Sequence, residues 1–106
     1  IITFSDRMNA YHAQMERILG DGYDGLDPAE MGKLREDAAV LAYLAGDIAA
    51  HPPAEAVNPA YQTLLDGMTA SVSALVDAVR ADDAAAARQA IMGLKQPYAK
   101  LFLKFG

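Results

Sequence analysis

The chain has 106 residues, of which 53% are hydrophobic and 22% charged, a composition typical of a single globular domain with a substantial core. Its net charge of −5 at pH 7 argues against nucleic acids and anionic membranes as partners. The absence of cysteine excludes disulfides, thiolate metal sites and a cysteine nucleophile, and no stretch approaches the roughly 18 uninterrupted apolar residues that a membrane span requires.

The first predicted helix covers residues 2–19. Its apolar residues recur at steps of three and four, which is the spacing of one helical face; they are Phe4, Met8, Tyr11, Met15 and Ile18. The sequence GDGYDGLDP follows, and its glycines and aspartates predict a loop. Asp21, Asp24 and Asp27 resemble a calcium loop only superficially, because the glycine and glutamate of an EF-hand are out of place.

The second and third helices are predicted over residues 28–50 and 59–81. Asp-Pro and Asn-Pro pairs stand at their starts, where a capping side chain precedes a proline at the first helical position. Their apolar seams are Met31, Leu34, Ala38, Leu41, Ala45 and Ile48, and then Tyr61, Leu65, Met68, Val72, Leu75 and Val79. His51 precedes a proline, so the second helix ends there, and we expect its imidazole to interact with the helix C-terminus.

The fourth helix is predicted over residues 83–105, with Asp82 or Asp83 as its cap. Its seam consists of Ile91, Leu94, Tyr98, Leu101 and Phe105. Pro97 lies inside this helix, where it removes a backbone donor and crowds the carbonyl of Gly93, a cost of about 3 kcal/mol in a straight helix. The backbone of glycine is more flexible than that of other residues, so we expect the helix to kink near residues 93–97 and to continue beyond them. The kink is either a tolerated bend or one that aims the aromatic tail at a former ligand pocket.

Four amphipathic segments with short connections predict an all-α fold, an antiparallel up-down-up-down four-helix bundle forming a single domain over residues 1–106. No run alternates in the way a β-strand requires, and alanine is frequent in every segment. We find no nucleophile paired with a base, no phosphate-binding loop and no HExxH pair, so catalysis is not expected.

Met8, His12 and Met15 are spaced i, i+4, i+7 on the first helix. Thioethers and an imidazole are ligands that copper(I) accepts, so these residues form a candidate metal site. The competing interpretation is that the methionines fill the core and His12 lies at its boundary. One of the three donors is also a candidate ligand for non-covalent haem, although no second axial ligand can be nominated.

The C-terminal sequence YAKLFLKFG resembles the haem-binding stretch of the cytochrome c′ family. In that family a Cys-x-x-Cys-His run is followed, two residues on, by an aromatic and then a basic residue. The cysteine positions correspond to Tyr98 and Leu101, the histidine position to Phe102 and the trailing aromatic to Phe105, while Gly106 replaces the basic residue. Soluble b-type cytochromes share the bundle; their methionine ligand would fall near Met8 and their histidine ligand also at Phe102.

The resemblance implies a cytochrome c′-like bundle without c-type haem, because the corresponding positions offer neither cysteines nor an axial donor. Large apolar side chains there are expected to fill the space of the macrocycle, since an empty cavity costs about 24 cal/mol per Å³. We expect the cluster Tyr98, Leu101, Phe102 and Phe105 to pack on itself and on three methionines, Met8, Met15 and Met68. No cofactor is expected, with copper or non-covalent haem as alternatives.

Further apolar flanks lie beside the core seams. Met92, Ala99 and Leu103 form one on the fourth helix, and Val40, Tyr43 and Leu44 form another on the second. Each is either a wider core face or an interaction surface. The resemblance implies a homodimer through the first two helices and a periplasmic location, and a chain beginning at Ile1 is compatible with removal of a leader.

Two functions therefore remain open at this stage. One is a haem-free periplasmic accessory or protein-interaction subunit. The other is a periplasmic copper- or haem-binding protein linked to electron transfer or metal handling through Met8, His12 and Met15.

Overall fold

The computed structural model describes every residue from Ile1 to Gly106 and shows an all-α four-helix bundle measuring 43 × 26 × 19 Å. Its α-helices, in chain order, are α1 (Phe4–Gly20), α2 (Pro28–Ala50), α3 (Pro59–Arg80), α4 (Ala84–Met92) and α5 (Lys95–Phe105). The last two together form the fourth member of the bundle. A short 3-10 helix, Ala54–Val57, lies between α2 and α3 and was not predicted.

The helices surround the core in chain order. α2 packs against α1 and α3, α3 packs along both α4 and α5, and α1 completes the bundle through less extensive contacts with α4 and α5. The second and fourth members of the bundle are therefore diagonal to each other. No helix is both long enough and apolar enough to cross a lipid bilayer.

The predicted apolar seams form the hydrophobic core. Every seam residue of the second and third helices is buried, and so are those of the first and fourth helices apart from the terminal Phe4 and Phe105, which are half-buried. The loop between α1 and α2 also contributes to the core through Tyr23 and Leu26, which the prediction of a loop rich in glycine and aspartate did not include. The spacing of apolar residues therefore correctly predicted which helical side chains are buried in the core of the bundle.

Side-chain caps begin the first four helices. Asp27 accepts from the backbone N–H of Glu30 at 2.8 Å, and the Glu30 carboxylate accepts from the N–H of Asp27, which completes a capping box. Asn58 and Asp83 cap α3 and α4 in the same general way. Thr3 forms a second capping box at the start of α1, which begins two residues later than predicted.

The fourth member of the bundle is interrupted, contrary to the prediction of one kinked helix over 83–105. α4 ends at Met92, and Gly93 leaves the helical conformation with φ −89° and ψ 0°. α5 begins at Lys95, which places Pro97 in its first turn. The first four N–H groups of a helix have no intrahelical partner, so the missing donor of Pro97 costs no hydrogen bond there. The chain begins a new helix at this point and so avoids the cost of a proline inside one.

The end of α3 contains a non-glycine residue in the left-handed region. Asp82 has φ 54°, and the N–H groups of Asp82 and Asp83 donate to the carbonyls of Val79 and Ala78 at 3.2 and 3.0 Å. This is the Schellman pattern, in which glycine is normally preferred at the left-handed position because a Cβ is strained there.

Replacing Asp82 by glycine is therefore expected to stabilise the protein by about 0.5 to 1 kcal/mol. The loss of its exposed ion pair with Arg35, at 3.9 Å, should matter little because such pairs contribute little to stability. Urea denaturation would measure the change, with Asp82→Ala as the control that loses the carboxylate but keeps the Cβ. A gain of the same size in Asp82→Ala would contradict the explanation by backbone strain.

Candidate functional site

Three aromatic rings from α1 and α5 stack on one another, from the buried core to the protein surface. Tyr11 of α1 is fully buried and stacks on Tyr98 of α5, with ring centroids 5.5 Å apart and an interplanar angle of 11°. Phe102 also stacks on Tyr98, with ring centroids 5.9 Å apart and an interplanar angle of 16°. We call Tyr11, Tyr98 and Phe102 the aromatic stack. At this level the space between α1 and α5 is occupied by rings.

The four tail residues divide between the core and the surface. Tyr98 and Leu101 are buried, whereas Phe105 is half-buried and contacts Tyr61 edge-to-face at 5.3 Å. Phe102 remains 41% exposed, so the expectation that it lies inside with the others was wrong. The reason is helical geometry: Phe102 follows Leu101 by one residue, about 100° around the helix, and so lies on the flank beside α1.

The hydroxyl groups of the buried tyrosines differ in their hydrogen bonding. The Tyr98 hydroxyl donates to the Met8 carbonyl at 3.3 Å. The hydroxyls of Tyr11 and Tyr61 are buried without a hydrogen-bond partner. Burial raises the pKa of all three phenols above the ordinary value of 10.0, because the charged phenolate loses its hydration there.

The candidate metal ligands on α1 have different environments. The side chains of Met8 and Met15 are fully buried in the core. His12 is half-exposed; its Nε2 lies 3.3 Å from Glu16, and its ring lies 5.3 Å from that of Tyr98. No group of three or more histidine, cysteine or acidic residues is arranged to hold a metal ion. The two thioethers therefore face the interior while the imidazole faces a carboxylate at the surface.

A groove of about 380 Å³ runs along the surface between α1 and α5. Tyr98 lies at its base, and Phe102 and Leu103 form much of its apolar wall. Lys95 lines the groove and reaches across to Glu16 on α1, with Nζ 3.4 Å from Oε1. Glu16 is thus shared between Lys95 and His12, and no carboxylate lines the groove itself.

A polar cluster ties the 20–28 loop to α2. Asp37 is buried, 7% exposed, and its carboxylate lies 3.3 Å from the Tyr23 hydroxyl, which also lies 3.1 Å from Asp21. Lys33 bonds Asp21 at 2.7 Å, and this hydrogen bond lowers the pKa of the Asp21 carboxyl. Asp37 is therefore a buried acid, which no periodic signal in the sequence distinguished from its exposed neighbours.

The other sequence candidates have structural partners. His51 Nδ1 lies 2.9 Å from the carbonyl oxygen of Asp47, one of the last carbonyls of α2, as expected for a histidine at a helix C-terminus. In the acidic loop, Asp27 is engaged in capping α2 and Asp21 is bonded to Lys33. The carboxylates of this loop therefore do not share a common centre.

The apolar flanks beside the core are largely on the surface. Leu103 is 82% exposed, Met92 75% and Tyr43 71%, and Val40 is also exposed, while Ala99 and Leu44 are half-buried. These side chains do not widen the core.

No family model, no characterised protein and no solved structure matches this chain. Its resemblance to cytochrome c′ thus depends on the C-terminal residues and the bundle architecture.

Proposed function

We propose that this chain is a haem-free, cytochrome c′-like bundle that acts by binding another protein, as a periplasmic accessory or interaction subunit. The observation that carries the proposal is the pair of large apolar side chains left on the surface of opposite members of the bundle, Leu103 on α5 and Tyr43 on α2. Exposed apolar side chains that lie next to each other are typical of interaction surfaces; Leu103 adjoins the exposed Phe102, and Tyr43 lies one helical turn from the exposed Val40.

The filled interior also supports the haem-free part of the proposal. Tyr98 and Leu101 occupy the positions that correspond to the two attachment cysteines, and both are buried. The stacking of Tyr98 on Tyr11 occupies the space between α1 and α5 at that level. A homodimer through α1 and α2 is one form the interaction would take, with Val40 and Tyr43 available on α2.

The proposal predicts that protein purified from its native source has no haem absorption band and no stoichiometric copper. Optical spectroscopy and elemental analysis measure both quantities directly. A haem band, or one copper per chain that disappears in His12→Ala but persists in His51→Ala, would overturn the proposal in favour of a copper- or haem-binding protein. His51 is the matched control because it is the only other histidine and bonds the C-terminus of α2.

A further inference from the structure

The methionine side chains of this chain differ widely in their exposure. The sequence has five methionines and no cysteine, so thioethers are its only sulfur groups. Three of them, Met8, Met15 and Met68, are fully buried. Met31 is 4% exposed, whereas Met92 is 75% exposed. A single thioether is therefore freely accessible from solvent in the folded protein.

Helical geometry explains the exposure of Met92. It is the last residue of α4 and follows the buried Ile91 by one residue, about 100° around the helix, so its side chain points away from the face that packs into the core. The helix ends at this residue because Gly93 leaves the helical conformation. The thioether of Met92 thus lies at the end of a short helix, outside the packed interior.

An accessible thioether reacts with hydroperoxides. The sulfur lone pair attacks one oxygen of the peroxide, and the S–O bond forms as the O–O bond breaks. Sulfur is oxidised by two electrons and the peroxide is reduced, and the proton of the transferred oxygen passes to the leaving oxygen. Hydrogen peroxide therefore gives the sulfoxide and one water. Methionine sulfoxide is reduced back to methionine by dedicated reductases, one for each sulfoxide epimer.

We propose that Met92 is a reversible oxidation site, the one methionine that hydroperoxides convert to the sulfoxide while the protein is folded. The proposal does not depend on the proposed protein-binding function. A peroxide reaches the other four thioethers only when the core opens, and core elements open with free energies up to that of global unfolding. We expect these four residues to react at least about tenfold more slowly than Met92.

The fold tolerates a sulfoxide at Met92 better than in the core. The sulfoxide oxygen is polar, and at an exposed side chain it is hydrated by water. At Met8 or Met68 the same oxygen would lie in an apolar interior, where burying a polar group is costly. Oxidation of Met92 should therefore leave the helical circular dichroism signal and the urea midpoint unchanged.

Met31 is the strongest competitor for the oxidant. It lines a hollow of about 360 Å³ where the loop between α1 and α2 approaches the start of α4, so a peroxide can come close to it from outside. Only 4% of the residue is exposed, however, against 75% of Met92. Preferential oxidation of Met31 would show that access through the hollow matters more than exposure of the side chain.

The test treats the folded protein with hydrogen peroxide and follows the intact chain and its peptides by mass spectrometry. The wild-type chain should gain one oxygen atom, located at Met92, and in denaturing urea all five methionines should react. Met92→Leu should stay unmodified over the same time, while Met31→Leu, the matched control, should gain its oxygen at the wild-type rate. Both variants should fold, because leucine and methionine have similar volumes and helix propensities.

Several results would overturn the proposal. They are first oxidation at Met31 or at another buried methionine, equal oxidation of all five in the folded protein, or an unchanged rate in Met92→Leu. A fall in the urea midpoint of the singly oxidised chain would also contradict it. Reversibility is tested with the reductases for both epimers and dithiothreitol, which should remove the oxygen from Met92. Persistence of the sulfoxide would overturn that part of the proposal.

Discussion

Replacing Tyr11 by alanine is expected to destabilise the protein by about 3 to 5 kcal/mol, the range typical of removing a large aromatic from a core. The ring is fully buried and stacks on Tyr98, so its removal leaves a cavity between α1 and α5. Small domains have a total stability of about 5 to 15 kcal/mol, so this loss would be a large fraction of the whole. Urea denaturation followed by circular dichroism measures it.

Tyr11→Phe is the matched control for this prediction. It keeps the ring and removes a buried hydroxyl that has no hydrogen-bond partner. The variant should therefore be as stable as the wild type or more stable by about 1 kcal/mol, since an unsatisfied buried hydroxyl is costly. Tyr98→Phe should instead lose about 1 kcal/mol, because it removes a hydrogen bond to the Met8 carbonyl. A loss in Tyr11→Phe equal to that in Tyr11→Ala would mean that the hydroxyl, and not the ring, is what matters.

The protein is expected to unfold cooperatively as the pH rises above 10. Burial raises the pKa of Tyr11, Tyr23, Tyr61 and Tyr98 above the value of 10.0 that a free phenol has, and for Tyr23 the neighbouring Asp21 adds to the rise. Above that pH the unfolded chain releases these protons while the folded chain retains them. Their contribution to stability is therefore complete below pH 10 and is lost as the pH rises through the folded-state values.

Each such tyrosine lowers the free energy of unfolding by up to about 1.4 kcal/mol per pH unit in this range, so four acting together give a steep transition. Tyrosinate absorbance and the helical circular dichroism signal should change together. Tyr11→Phe should move the alkaline midpoint upward, whereas Tyr43→Phe, at an exposed position, should not move it. Ionisation of these four tyrosines near pH 10 with the helices intact would contradict their burial.

The all-α bundle was predictable because its signals are local. Apolar residues that recur every three or four positions lie on one face of a helix, and burying that face requires an α-helix. The helix starts are marked by Asp27 and Asn58, each followed by a proline, a signal that needs only a few consecutive residues. The position of the break at Gly93 was also visible, but its form was not. Whether the chain bends near Pro97 or begins a new helix at Lys95 depends on how the two segments pack along α3.

The candidate site was less accessible to sequence reasoning. Met8, His12 and Met15 share a helical sector, yet burial separates the thioethers from an imidazole that pairs with Glu16. Phe102 was predicted to be buried because it corresponds to the histidine position of the cytochrome c′ motif. Its side chain instead leaves α5 in a direction that places it at the surface. Asp37 gave no sign of burial, since only its neighbours in space, above all Tyr23, distinguish it from other acids.

By itself the amino-acid sequence determined the class of fold, the helix starts and the faces turned inward, because each depends on residues within one or two turns of each other. Tertiary structure alone decided that Tyr11 stacks on Tyr98 and that Phe102 and Leu103 border a groove between α1 and α5. The physical reason is that an amphipathic pattern specifies which side of a helix is buried. It does not specify which neighbouring helix covers that side, or how completely the seam between the two helices is closed.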